Sequence, residues 1–485
     1  MAERYKSPGS YKTPTAFLER LREIDPSFAC DIDVVAGGAL AAPLTVYGRT
    51  ITNRFAIHPM EGWDGTLDGA PTEHTIRRWR RFGESGAGLI WGGEAIAVRH
   101  DGRANPNQLF INASLDNAKN LGDLRQALVS AHQAKNGASS CPYIGLQLTH
   151  SGRFSRPNHK LLEPKIAYHH PLYNEKYKLS ANHPPLTDGE LAQIRDDFVA
   201  AARVAQSAGF DFVDVKACHA YLVHELLSAF ERPGKYGGDF ENRTRFMLEV
   251  IEGIRTECPG LEIGVRLGLT DLPPHSAGVD GAGQPMELRH LLPWRLGFGM
   301  NAAQPLLPDW TEPLSLLRIL QSLGIQLINV SVGTPYGSAH VQRPASFPPS
   351  DGYWPPADPL FSVFRQLSAV RHAKSCFPDL IIVGSGYSYL QDFLPHVAQH
   401  EIRQGHVDLV GLGRMVLSYP DLPADVLAGR PLQRKRICRT FSDCTTGPRN
   451  HLLSGCFPLD DYYKQMPEAK FVKEKRAEIV RGSGQ

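Results

Sequence analysis

Three polar residues stand inside apolar runs where a strand would bury them. Gln147 lies between Leu146 and Leu148, Arg266 between Val265 and Leu267, and Lys216 follows Val215. Alternation along a strand lets the apolar neighbours pack outward while Gln147, Arg266 and Lys216 point into whatever the strands enclose. An amide, a guanidinium and an ammonium converging there need hydrogen-bond partners or become costly to bury. A polar ligand rich in acceptors would supply them; alternatively the three bond to one another or to water. A lysine at the end of a barrel strand can also attack a carbonyl, which would make Lys216 the Schiff-base residue of a lyase.

The elements that must position these residues recur in a fixed pattern. Compact apolar runs occur at Arg54–His58, Gly88–Trp91, Tyr143–Leu148, Phe212–Val215, Ile263–Leu267, Leu327–Val330, Leu380–Val383 and Leu409–Leu412. Between them fall helical stretches at Thr75–Gly83, Leu115–Ala134, Thr187–Ala208, Asn242–Thr256, Pro359–Lys374 and Leu390–Gln404, the third opened by a Thr187/Glu190 capping box. Uninterrupted Val/Ile/Leu runs suit strands buried on both faces, and eight of them alternating with helices predict an α/β fold of the (β/α)8 TIM barrel type. Three long connections, Phe154–Pro185, Thr270–Pro313 and Gly333–Pro356, follow the third, fifth and sixth strands. They therefore belong at the C-terminal face, where barrels place their chemistry.

Composition narrows the function classes. With 42% apolar and 21% charged residues the 485-residue chain can bury a large core, and 52 Lys plus Arg against 50 Asp plus Glu leave no electrostatic case for nucleic acid or an anionic membrane. The N-terminus lacks an apolar signal segment and no run is long enough to span a bilayer. The eight scattered cysteines do not read as a disulfide framework, so a reduced cytoplasmic setting, a small-molecule substrate and an open question of homo-oligomerisation are the expectation.

Several motifs in register resemble the Old Yellow Enzyme family of NADH:flavin oxidoreductases. They are Asn53–Met60, Gly88–Ala95, Gly145–Arg153, Gly209-Phe210-Asp211 through His219-Ala220-Tyr221-Leu222, Gly264–Leu267, Val383–Gly386 and Gly411–Arg414. The resemblance implies FMN at the barrel mouth, reduced by NADH or NADPH. It places His58, Pro59, Met60, Glu61, Ala95, Gln147 and Arg266 around the flavin ring, and Ser385, Gly386, Gly413 and Arg414 at its phosphate. Glycines there let backbone N–H groups approach the anion, and a cation such as Arg266 near the ring would stabilise reduced flavin. In the ene-reductase reading, His219 and Lys216 polarise a substrate carbonyl, hydride adds at the β-carbon of the conjugated alkene, and Tyr221 protonates the α-carbon. The same scaffold can run in reverse as a dehydrogenase or demethylase.

Two departures from the family pattern stand out. Lys216 takes a position where histidine is usual, which favours a carboxylate or a developing enolate over a neutral ketone. Glu61 takes one where a small residue is usual, and could disfavour reduced flavin, pair with Lys216 or face solvent. Near the C-terminus Cys438, Cys444 and Cys456 resemble the iron–sulfur segment of the 2,4-dienoyl-CoA reductase and trimethylamine dehydrogenase branch, but Phe441 or Ser442 takes the place of the second ligand. A [4Fe–4S] cluster is therefore not expected, nor is a reductase domain downstream. The expected organisation is an extension over 1–44, an FMN-binding barrel over 45–430, and an extension over 431–485 whose basic stretch Lys470–Arg481 reads as a solvated helix.

Overall fold

The apolar runs form a closed parallel barrel in the computed structural model, which describes residues 4–482. Its strands are β1 (Phe55–Ile57), β2 (Leu89–Ile90, resuming at Ala95–Ala97), β3 (Tyr143–Thr149), β4 (Phe212–Ala217), β5 (Glu262–Thr270), β6 (Leu327–Val332), β7 (Ile381–Gly384) and β8 (Leu409–Leu412). Neighbours in sequence pair in parallel, and β8 closes on β1 with Gly411 opposite Ala56 and Leu412 opposite Ile57. Strand residues are buried on both faces, which is why they read as continuous apolar runs.

Helices Glu73–Gly83, Asn117–Asn136, Asp188–Ser207, Phe240–Glu257, Thr311–Ser322, Pro359–Cys376 and Leu394–Arg403 surround the strands. The capping box forms in full: Thr187 Oγ1 accepts from Glu190 N at 3.2 Å, and Glu190 Oε2 from Thr187 N at 2.8 Å. Thr311–Ser322 was not expected, because its opening Thr-Glu-Pro reads as the tail of a proline-rich connection. A proline in the first turn forfeits no intrahelical bond, so the helix starts there regardless. The last of these helices begins at Leu394 rather than Leu390, since Tyr387–Phe393 is a 3-10 segment with Gln391 at φ 52°.

A hairpin of Leu44–Val46 and Arg49–Ile51 seals the N-terminal end of the barrel. Its turn residues Tyr47 and Gly48 both have positive φ, the geometry a two-residue hairpin loop favours. Val46 and Ile51 pack into an apolar layer with Trp91, Tyr143, Phe212, Leu327 and Leu409, so the closed end is a packed core and only the opposite end is open to ligand.

The segment after β8 folds back across that open end. Trp63 N donates to Ser454 Oγ at 3.1 Å, and Arg77 makes two bonds to Asp460, at 2.9 and 2.8 Å. Its last helix, Glu468–Gly482, is not simply solvated as the sequence suggested: Val472 is fully buried, and Arg476 donates to Asp443 at 2.7 Å. Among the described residues no helix is long and apolar enough to cross a membrane.

Candidate active site

A cavity of about 300 Å³ opens at the C-terminal ends of the strands, lined by His58, Pro59, Met60, Glu61, Gln147, Lys216, His219, Tyr221, Arg266, Ser385, Gly386, Gly413 and Arg414. Of the residues expected at a flavin, Ala95 alone is not on its wall; the carbonyl of Ala95 instead accepts from Gln108 Nε2 at 2.6 Å.

The floor is organised by Asp214, which the sequence reading missed. This fully buried carboxylate accepts from Trp91 Nε1 at 2.6 Å, Gln147 Nε2 at 2.5 Å and the Arg266 backbone N–H at 2.6 Å. Burial pushes its pKa above the ordinary carboxylate range, against the pull of those donors. His58 lies beside this layer, 3.1 Å from both Asn329 Nδ2 and Ser385 Oγ. Burial, then Arg266, holds its pKa well below the usual imidazole value, so the ring is neutral.

Above the floor runs a chain of four side chains. Lys216 Nζ donates to Glu61 Oε1 at 2.5 Å, Tyr221 OH donates to Glu61 Oε2 at 2.7 Å, and Tyr221 OH lies 3.1 Å from Tyr336 OH. Lys216 also sits 3.8 Å from the centroid of the Tyr221 ring. Burial, then the charge of Glu61, keeps the Tyr221 hydroxyl protonated well past its ordinary range. His219 Nε2 is 3.2 Å from both Ser331 Oγ and Gln342 Nε2, and burial, then Arg266, lowers its pKa far enough to keep it neutral. His219 (φ 67°) and the adjoining Ala220 (φ 56°) both occupy the left-handed region, a local strain of the order of 1–3 kcal/mol per residue that the surrounding structure holds in place.

The far end is built for an anion. Gly386 has φ 97°, which a side chain would strain, and a Cβ on Gly413 would meet no atom, leaving the turn open. Arg414 is half-buried; one of its nitrogens donates to the Pro344 carbonyl while the buried Nη1 has no partner. Arg343, also on the cavity wall, donates to Thr445 Oγ1 at 2.5 Å and pairs with no carboxylate among the described residues. Burial, then the charge of Arg414, pushes its pKa down to about 10.

Cys444 and Cys456 reach the same cavity, and together with Cys438, Phe441 and Asp443 they surround a separate void of about 20 Å³. All three thiols are free. Among the described residues no group of three His, Cys, Asp or Glu side chains is arranged to hold a metal ion.

Whether these residues suit a flavin mononucleotide is decided by their unsatisfied groups. Arg414 Nη1 and Arg266 Nε are buried without partners, both belong to residues on the wall of one cavity, and an open glycine turn lies beside the first. A phosphate at the turns and an acceptor-rich ring edge at Arg266 and Gln147 would satisfy all of them. Such a barrel is that of an FMN-dependent oxidoreductase.

Comparison with known proteins agrees. The family model for the NADH:flavin oxidoreductase / NADH oxidase family matches residues 39–288, and the chain belongs to that family, whose members use FMN with NAD(P)H. An NADH:flavin oxidoreductase of Gibberella zeae is 26% identical over 78% of this chain and 83% of its own. An NADPH dehydrogenase of a Geobacillus species is 31% identical over 50% of this chain and 66% of its own. Among solved structures, a 2-naphthoyl-CoA reductase superposes with a TM-score of 0.63 at 18% identity, covering 90% of this chain and 58% of that one. An Old Yellow Enzyme homologue from Zymomonas mobilis superposes with a TM-score of 0.56 at 21% identity, covering 82% and 94%. At these identities the superpositions speak for the fold.

Besides Asp214, the sequence reading passed over Tyr336, Gln342, Arg343 and Arg449, which all line the cavity. Asp214 carried the alternation signal that marked Lys216, being flanked by Val213 and Val215. The other four come from loops and the C-terminal segment, where no periodicity points to them.

Proposed function

We propose that this enzyme reduces an activated alkene, an α,β-unsaturated carbonyl compound, with Tyr221 as the proton donor. The observation that carries the reading is the chain Lys216–Glu61–Tyr221–Tyr336, which presents a cation and a protonated phenol to one cavity. Bound FMN would supply the hydride, loaded from NAD(P)H. Lys216, neutralised by Glu61 but still an N–H donor, and His219, a neutral imidazole, would bind the substrate carbonyl and stabilise the enolate oxygen as charge develops there. Tyr221 would release its proton to the α-carbon, and Tyr336, 3.1 Å from its oxygen, is placed to donate to the resulting phenolate. A Schiff-base role for Lys216 is disfavoured, because an ammonium donating to a carboxylate has no lone pair to offer a carbonyl.

Glu61 favours one second reading. A carboxylate behind Tyr221 could draw the proton in the opposite direction, as oxidation of a substrate would require. Rapid mixing separates the two. On the ene-reductase reading, Tyr221→Phe leaves flavin reduction by NAD(P)H intact and slows reoxidation by an enone by about a hundredfold or more. Unchanged reoxidation would remove Tyr221 from that role.

A further inference from the structure

We infer that the substrate carries a carboxylate and that Arg449, from the C-terminal segment, binds it. This rests on the alkene-reductase reading and narrows its substrate class. Several cations of the cavity are already balanced. Lys216 is paired with Glu61, and Arg77 is held by both oxygens of Asp460. Arg78 lies between Asp64 and Glu94. Arg449 differs: among the described residues its one ion pair is to Asp351, at 3.3 Å, and the Asp351 side chain is 51% exposed while that of Arg449 is 20% exposed. An exposed carboxylate held at one point is a weak and displaceable counterion.

The guanidinium is also in the right place. Its Cζ lies 5.6 Å from the centroid of the Tyr336 ring, and the Tyr336 hydroxyl is 3.1 Å from that of the proposed proton donor Tyr221. The Tyr336 ring is itself fixed, stacked on Phe154 at 3.8 Å. Arg156, 6.0 Å from the same ring and without a carboxylate partner among the described residues, adds to the positive potential there. A substrate seated with its carbonyl at Lys216 and His219 thus meets a net positive group past Tyr336. Lys216 cannot take that anion, because Glu61 already neutralises it; Arg449 can, through the two-pronged geometry that suits a carboxylate.

The test uses the FMN-loaded enzyme and a matched pair of enones, 4-oxopent-2-enoic acid and its methyl ester. Perturbation of the oxidised flavin spectrum measures binding, and NADPH-dependent turnover measures reduction. The acid is expected to bind at least about tenfold tighter than the ester, Arg449→Gln to abolish that preference through the acid alone, and Arg449→Lys to keep part of it. Flavin content should stay unchanged in both variants. Equal binding of acid and ester by the unaltered enzyme, absence of a spectral change with the acid, or equal losses on both ligands in Arg449→Gln would overturn the assignment. If the acid binds selectively through Arg449 but neither compound is reduced, the carboxylate site stands and the alkene-reductase reading alone fails.

Discussion

Tyr221 and Glu61 share a hydrogen bond of 2.7 Å, phenol to carboxylate, and Glu61 is simultaneously the counterion of Lys216. One carboxylate therefore sets the state of both groups proposed to meet the substrate. The hydroxyl that is to give up a proton is held back by the same charge that neutralises the neighbouring ammonium.

A pH dependence follows. Burial, then the negative charge of Glu61, raises the Tyr221 pKa, so the phenol stays protonated to higher pH and activity that needs its proton persists into the alkaline range. Glu61→Gln removes the second of these causes, and the alkaline limb of the kcat profile for alkene reduction moves to lower pH. The variant also leaves Lys216, whose side chain is 3% exposed, without its counterion, at a stability cost of the order of 3–5 kcal/mol measurable by denaturant unfolding. An alkaline limb that does not move would show that Tyr221 does not supply the rate-determining proton.

The loop carrying Glu61 depends on a second buried charge system. Arg78 donates to Asp64 at 3.0 Å from two nitrogens, to Glu94 at 2.6 Å and to the Gly93 carbonyl at 2.7 Å, while Glu94 accepts from Gly62 N at 2.7 Å. Arg78→Met strands two fully buried carboxylates and should destabilise the fold by about 3–5 kcal/mol. Burial already raises the Glu94 pKa above the ordinary carboxylate range against the pull of Arg78. Losing Arg78 raises it further, so the variant's fold keeps a proton that the unaltered fold releases, and its stability deficit relative to the unaltered protein grows as pH rises through about 7, where that release occurs. Urea unfolding at pH 5 and pH 8 reads this directly; an equal deficit at both would mean the carboxylates are relieved by other means.

Much of this is legible in the sequence. The barrel strands were readable because burial on both faces leaves uninterrupted Val, Ile and Leu, and Gln147, Lys216 and Arg266 stood out as polar interruptions of those runs. Asp214 interrupted the same strand as Lys216 but drew no notice, since an acid in a barrel interior makes sense only once Trp91, Gln147 and the Arg266 amide are seen to converge on it. The partners of Glu61 could be named only as alternatives, because strand and loop contribute to them across 155 and 160 residues of sequence. Arg343, Tyr336 and Arg449 were invisible for a different reason. Their positions are set by long connections and by the C-terminal segment folding back, and neither has a period to betray which side chains turn inward.

Arg343 bears on how the FMN phosphate would be held. It and Arg414 line the cavity as half-buried side chains with no carboxylate partner among the described residues, and burial, then the charge of Arg414, holds the Arg343 pKa down to about 10. A pKa lowered in the fold means that the charged form is destabilised there, so the flavin-free protein carries an unrelieved positive charge. A phosphate monoester, bearing roughly two negative charges at neutral pH, would relieve it. Arg343→Met should therefore act with opposite signs on the two forms: the flavin-free protein gains thermal stability, while affinity for FMN falls by about ten- to a hundredfold. Riboflavin, which lacks the phosphate, should bind both proteins alike, as fluorescence quenching on the flavin-free proteins would report. Equal losses for FMN and riboflavin would show that Arg343 supports the ring rather than the phosphate.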